Sequence, residues 1–379
     1  MGNILKYVYP ASILAGTIIG AGMFSLPFIF SESSFLIGLL YLALFTFIFY
    51  LVHSMYADII LRTERLPGFV LYVRKYLGEW ARIPSIIATG IGTILVSAAY
   101  LILSVSFAQL IFPDISPSVI VFLFWAIGSF AIFLKAKKIA MIEFIVMIAI
   151  LFLIGFIFVL GIQVGDFSNK NFYLRELSIP IFFIPFGPVL FSLSGRSAIT
   201  PLLDDMKKSR LSEKYLTKII FWGTAIPSIL YIIFVLGIWG LSSDYISDDS
   251  VAGITNSGNF LLPILGVVGI AALFTTYVPI GSSLKKMLEA DFKFSHLTAG
   301  ILVVVLPPMI YFLDFGFLEL IDIAGGIFLA VECIFIALIW NKLNELHKPR
   351  LLLLNFGKTT AYFVILIFAI GMIAEIIYP

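Results

Sequence analysis

The chain has 379 residues, of which 61% are hydrophobic and 12% are charged, and its formal net charge at pH 7 is +2. A soluble domain carries about twice that share of charged residues, so the composition excludes a water-soluble globular protein and indicates a chain solvated by lipid. The single cysteine excludes a disulfide framework and a thiolate metal site, and the near-neutral charge gives no sign of nucleic-acid binding.

Eleven apolar runs are long enough to cross a bilayer, since a transmembrane helix needs roughly 20 mainly apolar residues. Long runs with a period of 3.6 residues favour helices over the alternating strands of a barrel. We therefore predict an all-α integral membrane fold of eleven transmembrane helices, numbered here as spans one to eleven. The runs are Val8–Phe30, Phe35–Ile60, Ile83–Phe112, Ser118–Leu134, Ile139–Val164, Ser178–Ile199, Leu216–Leu241, Ser257–Leu284, Ser295–Leu313, Phe315–Trp340 and Thr359–Tyr378.

The basic residues test this count, because Lys and Arg accumulate in the cytoplasmic segments of membrane proteins. With a cytoplasmic N-terminus, 22 of the 24 basic residues fall in cytoplasmic segments. Only Lys170 and Arg175 fall outside. The pattern predicts a multi-pass protein of the cell membrane, plasma or inner, surrounded by lipid, with its N-terminus in the cytoplasm and its C-terminus outside.

The first span contains three glycines and a proline between Gly16 and Pro27. Glycine costs about 1 kcal/mol in a helix interior, and proline removes a backbone donor. In lipid, such a segment persists only where its freed N–H and C=O groups face protein, water or ligand. One interpretation is an unwound binding segment, and the other is close helix packing through Gly16 and Gly20.

A second interruption lies in the sixth span, five helices later. Broken helices in corresponding positions are typical of transporters with inverted repeats, whose site lies near the membrane midplane. A half-helix N-terminus offers N–H groups to a carboxylate, and unwound carbonyls suit an ammonium group or a metal cation. The two breaks together therefore suit a zwitterion. The residues of the second break are Pro180, Pro185, Gly187, Pro188 and Gly195, around the sequence Phe191-Ser192-Leu193-Ser194.

Span eight contains the sequence Ala272-Leu273-Phe274-Thr275-Thr276. Residues three and four apart share a helix face, so the Ala272 carbonyl and the hydroxyls of Thr275 and Thr276 converge on one point. Neutral oxygens of this kind can bind Na+ where a neighbouring helix unwinds. The alternative is that both hydroxyls bond to carbonyls one turn back in their own helix.

Acidic residues inside the membrane are functional candidates, because each costs about 2.5–3.5 kcal/mol to insert. Span ten carries Asp322 and Glu332, separated by about 15 Å along a helix. Asp322 is either a gate or a hydrated residue at the outer rim. Glu332 is either a carboxyl that ties span ten to a broken helix or a proton carrier. His53 and Asp58, near the inner end of span two, are expected to reach the membrane interface.

The twelve residues from Gly16 to Pro27, Gly-Thr-Ile-Ile-Gly-Ala-Gly-Met-Phe-Ser-Leu-Pro, resemble the signature of the amino acid–polyamine–organocation transporter superfamily. Within it, the chain is similar to eleven-helix amino acid permeases of the amino acid/auxin and hydroxy/aromatic amino acid type. The resemblance implies a leucine-transporter-type fold of five plus five helices in inverted repeat. Residues 1–379 then form a single transporter domain, with repeats at 1–164 and 178–341 and an extra helix at 358–379.

The resemblance also implies a substrate site between the two broken spans. The glycine-rich backbone holds the substrate's carboxylate, an aromatic ring of span six covers the substrate, and hydroxyls or carbonyls of span six receive its amine. Tyr100 matches a tyrosine that some members direct at the carboxylate, with lipid contact or packing as the alternative. The implied substrate-binding residues are Gly20, Ala21, Gly22, Tyr100, Phe191, Ser192 and Ser194.

The family's sodium site implies that the carbonyls of Gly16 and Ile19 join Ala272, Thr275 and Thr276 as ligands. The chain departs from the family pattern in having no arginine at the outer end of span one. Instead, Arg196 directly follows the break in span six. It either anchors the inner half-helix among cytoplasmic charges or contacts the substrate from below.

These features together predict a secondary active transporter and not an enzyme. It carries a neutral amino acid by alternating access, coupled to Na+, which is favoured, or to H+, and it has no cofactor beyond a bound Na+. One alternative is an amino acid receptor of the same fold that does not transport. The other is a carrier of another organocation such as a polyamine, which would need a carboxylate beside the breaks that neither break contains.

Overall fold

The structure, a computed structural model, describes helices joined by loops over residues 2–66, 68–133, 139–165, 167, 170–173, 178–242, 246–251, 254, 258–346 and 358–378. These residues contain no strand, only an isolated bridge between Ser242 and Ile254. The predicted all-α class is confirmed. The helices are α1 (Gly2–Ile18), α2 (Leu26–Ser33), α3 (Phe35–Arg62), α4 (Phe69–Leu77), α5 (Glu79–Gln109), α6 (Pro117–Ile132), α7 (Ile139–Val164), α8 (Ile179–Phe183), α9 (Phe186–Ser192), α10 (Arg196–Lys208), α11 (Leu216–Leu241), α12 (Gly258–Phe292), α13 (His296–Tyr311), α14 (Phe317–Asp322), α15 (Ala330–Glu345) and α16 (Lys358–Ile377).

The helices confirm a multi-pass membrane protein. In the described chain, eight helices are long and apolar enough to cross a membrane, and the bent pair of α1 and α2 makes a ninth. The two remaining predicted runs coincide with α6 and α13, which are apolar but only 16 residues long. That these two also cross, which would make eleven spans, stays a prediction.

One helix was not predicted. The nine-residue α4 buries Phe69 and Val70 and exposes Arg74 and Lys75. Gly78 ends it with φ at 95°, a left-handed conformation that glycine adopts without strain. The helix is too short to meet a criterion based on runs of about 20 apolar residues, because its hydrophobic run of Phe69-Val70-Leu71-Tyr72-Val73 ends at Arg74.

Helices α7 and α11 approach through glycines. A Cβ on Gly237 would lie 2.8 Å from the backbone nitrogen of Phe158 and 2.8 Å from Cγ2 of Ile157. Gly161 and Gly240 meet backbone to backbone in the same interface. Small residues allow such close approach between membrane helices, where packing replaces the hydrophobic effect as a driving force. Residues 237–241, at the end of α11, are buried at this contact.

We expect Gly237→Ala to lower the melting temperature of the purified protein in detergent. The added Cβ meets backbone, which cannot rotate away, and overpacking of this kind costs about 1–3 kcal/mol. Gly155→Ala on α7 is the matched control, because nothing lies within 4 Å of the Cβ position there. Its melting temperature should stay unchanged or rise. Equal losses in the two variants would contradict this packing.

Candidate functional site

The first span is broken at the predicted position. Helix α1 ends at Ile18, a short 3₁₀ turn runs from Ala21 to Ser25, and the axes on the two sides differ by 51°. Gly20 lies between them in an extended conformation, with φ −147° and ψ −159°. The chain therefore leaves the helix for two residues and re-enters it at a new angle.

The break frees backbone donors. The last helical bond runs from Ile19 N to Ala15 O at 2.8 Å, and the next bond in sequence runs from Met23 N to Gly20 O at 3.3 Å. The N–H groups of Ala21 and Gly22 have no acceptor among the described residues. Two consecutive free N–H groups at the start of a helical turn form a site that favours an anion.

The sixth span is broken as well. Helix α9 ends at Ser192 and α10 begins at Arg196. A Cβ on Gly195 would lie 2.7 Å from Cγ1 of Ile18. The second break therefore lies directly against the end of α1.

Two hydroxyls join the breaks. Tyr231 of α11 places its Oη 2.6 Å from the Ile18 carbonyl oxygen and 2.9 Å from the Ser192 carbonyl oxygen. Ser192 Oγ lies 2.8 Å from Gly22 O and 2.7 Å from Pro188 O. Tyr231 was not predicted, since nothing in its own span distinguishes it from the other tyrosines of the chain.

Gly22 is held where no side chain fits. A Cβ there would lie 2.7 Å from Cα of Ser192 and 3.1 Å from Cδ1 of Phe191. The half-buried Phe191 also contacts the position that a Cβ on Gly325 would occupy, at 3.1 Å. Close approach between the two breaks thus requires glycine at residue 22. By contrast, a Cβ on Gly20 would meet nothing closer than Thr276 Oγ1 at 3.7 Å.

Two further predicted residues have defined surroundings. Tyr100 is only 2% exposed in α5, so lipid contact is excluded and packing or substrate contact remains. The half-buried Ser194 donates its N–H to Phe191 O at 3.2 Å, which closes a turn inside the break.

The threonines of α12 make the hydrogen bonds of the alternative interpretation. Thr275 and Thr276 both donate to the Ala272 carbonyl, at 3.0 and 2.9 Å. Thr276 nevertheless faces the first break beside Gly20, and each hydroxyl oxygen keeps lone pairs that can accept a cation. Gly16 borders α7, where a Cβ would meet Met147 Sδ at 2.8 Å. The predicted ligands are neutral carbonyl and hydroxyl oxygens, which suit Na+ chemically. Of the two threonines, Thr276 is the one that lies beside the first break.

Glu332 is bound to the residue that follows the second break. Arg196 donates from Nε to Oε2 and from Nη2 to Oε1, both at 3.0 Å, and Thr89 donates to Oε1 at 2.5 Å. The side chains are 22% and 9% exposed for Arg196 and Glu332, and the guanidinium lies 4.5 Å from the centre of the Phe69 ring. Glu332 therefore ties span ten to the broken helix, and Arg196 has a defined partner beneath the break.

Asp322 packs against the sixth span. It ends α14, and a π-helical segment, Ile323–Leu329, follows it before α15. Its Oδ1 is shielded and lacks a hydrogen-bond partner in the described chain. A Cβ on Gly187 of α9 would lie 2.5 Å from that oxygen. The interpretation as an open, hydrated rim residue does not agree with this contact, and the gating role of Asp322 stays a prediction.

The expectation for His53 and Asp58 was wrong. Each residue is 1% exposed. Asp58 Oδ2 lies 2.6 Å from Arg62 Nη2 and accepts from Trp340 Nε1 at 2.8 Å. His53 Nδ1 lies 3.3 Å from Thr224 Oγ1. The side chains connect α3 to α15 and α11 and are enclosed by protein.

Comparisons with known proteins agree with this geometry. The family model described as the tryptophan/tyrosine permease family matches residues 5–375. Among solved structures, MhsT in complex with L-phenylalanine is similar with a TM-score of 0.71 and 15% identity, over 99% of this chain and 98% of that chain. A mutant of the Eremococcus coleocola manganese transporter has a TM-score of 0.67 and 13% identity, over 98% and 86% of the two chains. The same transporter with an aromatic bis-isothiourea-substituted compound has a TM-score of 0.68 and 14% identity, over 99% and 87%.

No curated protein sequence matches the chain. At these identities the structural likeness shows a shared fold, the leucine-transporter type that the resemblance implied.

Glu332→Gln should destabilise the protein strongly. The substitution leaves the charge of Arg196 buried without its partner, and breaking a buried ion pair in this way costs about 3–5 kcal/mol. The control is Asp204→Asn at the pair of Arg65 with Asp204, whose side chains are 52% and 40% exposed. Such exposed pairs contribute about 0–1 kcal/mol. Melting temperatures that fall by the same amount in both variants would show that the Glu332 pair has no special structural role.

Proposed function

We propose that this chain, which belongs to the tryptophan/tyrosine permease family and is an amino acid transporter, carries a neutral aromatic amino acid by alternating access, coupled to a cation. The observation that carries the proposal is the pair of broken spans, joined to each other around the free N–H groups of Ala21 and Gly22. Transport and not catalysis is the activity of the family.

The break in span one supports binding of the carboxylate. The N–H groups of Ala21 and Gly22 begin a helical turn whose dipole favours negative charge. The carbonyls of Ile18 and Ser192, at the ends of α1 and α9, face the same junction and suit the ammonium group. A zwitterion thus finds opposite partial charges within one small site.

The charges around the junction favour a substrate with no net charge. Arg196 is the charged residue nearest in sequence to the second break, and Glu332 neutralises it. The residues of both breaks themselves carry no acid and no lysine. A cationic or anionic side chain on the substrate would therefore be desolvated without a partner, which is costly.

Two observations support an aromatic side chain. The matched family is named for tryptophan and tyrosine, and MhsT was solved with L-phenylalanine. In this chain, the half-buried ring of Phe191 lies beside Gly22, where the substrate backbone is proposed to sit. An edge-to-face or offset ring contact there would favour aromatic over aliphatic side chains by about 0.5–1.5 kcal/mol.

Sodium is the proposed coupling ion, bound by the carbonyls of Gly16 and Ile19 with Ala272, Thr275 and Thr276. The alternative proton carrier is Glu332. Glu332 is engaged in two hydrogen bonds with Arg196, both at 3.0 Å. A carboxyl held in this structural pair supports a cation at the hydroxyls of α12 as the coupling ion.

The proposal includes the topology on which alternating access depends. Eleven spans would be arranged as inverted repeats over residues 1–164 and 178–341, with 358–379 as an added helix. The N-terminus would lie in the cytoplasm and the C-terminus outside. The gate assigned to Asp322 would then separate the site from the outer side.

Gly22→Ala should reduce tryptophan binding by at least tenfold while leaving the protein folded. The new Cβ lies 2.7 Å from the Ser192 backbone and must push the two breaks apart. Gly90→Ala in α5 is the control, because its Cβ would meet only Met287 Cε at 3.7 Å, which is an ordinary contact. Scintillation proximity binding on purified protein measures both. If the two variants bound tryptophan with equal affinity, the substrate's carboxylate would not bind at this position.

The coupling ion is decided by uptake into proteoliposomes. We expect an inward Na+ gradient to drive accumulation of tryptophan, and Thr276→Ala to lower it by at least tenfold. Accumulation driven by a pH gradient in sodium-free buffer, lost in Glu332→Gln and kept in Thr276→Ala, would establish the proton instead. Competition by putrescine as strong as by phenylalanine would contradict the neutral site.

A further inference from the structure

Tyr231 is buried at the meeting point of two helix ends. Its exposed fraction is 0%, and its hydroxyl lies 2.6 Å from Ile18 O and 2.9 Å from Ser192 O. These carbonyls belong to the last residues of α1 and α9. Carbonyls at a helix C-terminus have no donor within their helix, and lipid offers none. One side chain from a third helix therefore meets two such groups.

The hydroxyl cannot satisfy both carbonyls at once. A tyrosine hydroxyl has a single proton to donate, and it faces two carbonyl oxygens, while the Gly20 backbone N–H approaches the hydroxyl oxygen as a donor. The two helix ends also carry partial negative charge, so they repel each other when close. A bridging hydroxyl holds them at a fixed separation, and its loss would let them move apart.

A second hydroxyl acts between the same segments. Ser192 Oγ lies 2.8 Å from Gly22 O, on the far side of the first break. The Tyr231 and Ser192 hydroxyls together fix α9 against the residues on both sides of Gly20. The free N–H groups of Ala21 and Gly22 therefore depend on these two contacts for their position.

We propose that Tyr231 is a positioning residue for the transported amino acid, which sets the separation of the two breaks without being part of the pocket for the substrate's side chain. The identity of the ligand, an amino acid, rests on the proposed function. The ordering of the junction between the two breaks by Tyr231 does not depend on any ligand.

Tyr231→Phe keeps the ring and removes the hydroxyl. We expect the dissociation constants for tryptophan and for phenylalanine to rise by the same factor, about tenfold, which corresponds to about 1.4 kcal/mol. The dissociation constants of both amino acids should rise by the same factor because the hydroxyl positions the backbone of the two breaks, which every substrate contacts. Tyr277→Phe is the matched control, since Tyr277 is 1% exposed in α12 and its ring and hydroxyl lie against Gly128 and Ser129 of α6. Its dissociation constants should stay within twofold of the unsubstituted protein's.

Amide hydrogen exchange measured by mass spectrometry tests the junction without a ligand. Peptides that cover residues 18–25 and 192–197 should exchange faster in Tyr231→Phe than in Tyr277→Phe and the unsubstituted protein. Unchanged exchange would overturn the positioning role, even if affinity fell, because Tyr231 would then act on the ligand directly. Unequal factors for the two amino acids would overturn it as well. If the unsubstituted protein bound no amino acid, the proposed function would fail, and the substrate role of Tyr231 would fail with it. The exchange rates would still show whether the Tyr231 hydroxyl orders the junction of the two breaks.

Discussion

The structure depends on one requirement, that backbone N–H and C=O groups released inside a membrane must find partners within the protein. Two spans of this chain leave the helical conformation, and each break meets the other. The Ser192 hydroxyl bonds to a carbonyl of the first break, and Tyr231 faces carbonyls of both. In the described part of the chain, the N–H groups of Ala21 and Gly22 remain without an acceptor. Donors of this kind are what a substrate carboxylate can use.

Close approach is the second condition, and the glycines meet it. The absence of a side chain at Gly22 allows the end of α9 to approach, and the same absence at Gly195 allows the end of α1 to approach. Gly187 likewise allows contact with the backbone of Asp322. Together they draw spans one, six and ten within backbone contact of one another. Arg196 and Glu332 then connect spans six and ten below the break through an ion pair of low exposure. Replacing both charges by apolar residues would cost little stability, whereas removing one partner costs about 3–5 kcal/mol, so the pair holds the two helices in one arrangement.

Local features of the sequence were predictable and distant pairings were not. The break in span one followed from Gly20, Gly22 and Pro27, because glycine and proline alter the backbone wherever they occur. The carboxylate of Glu332 was recognised as unusual for the same local reason, a charge in an apolar run. Its partner Arg196 lies 136 residues away in sequence, and no periodicity or composition joins the two. Tyr231 was not predicted, because its hydroxyl contacts carbonyls of α1 and α9, which are distant from it in sequence.

The π-helical segment between α14 and α15 has a consequence for insertions and deletions. A π-helix accommodates about one residue more than an α-helix over the same stretch, and each residue of an α-helix turns the chain by about 100°. Removal of one residue from a regular α-helix would turn everything after it by that angle, whereas removal of one residue from Ile323–Leu329 would let a regular helix cover the same stretch. Glu332 would then still face Arg196. The π-helical segment is therefore the place in span ten where homologues can differ in length by one residue and keep the same residue facing α10.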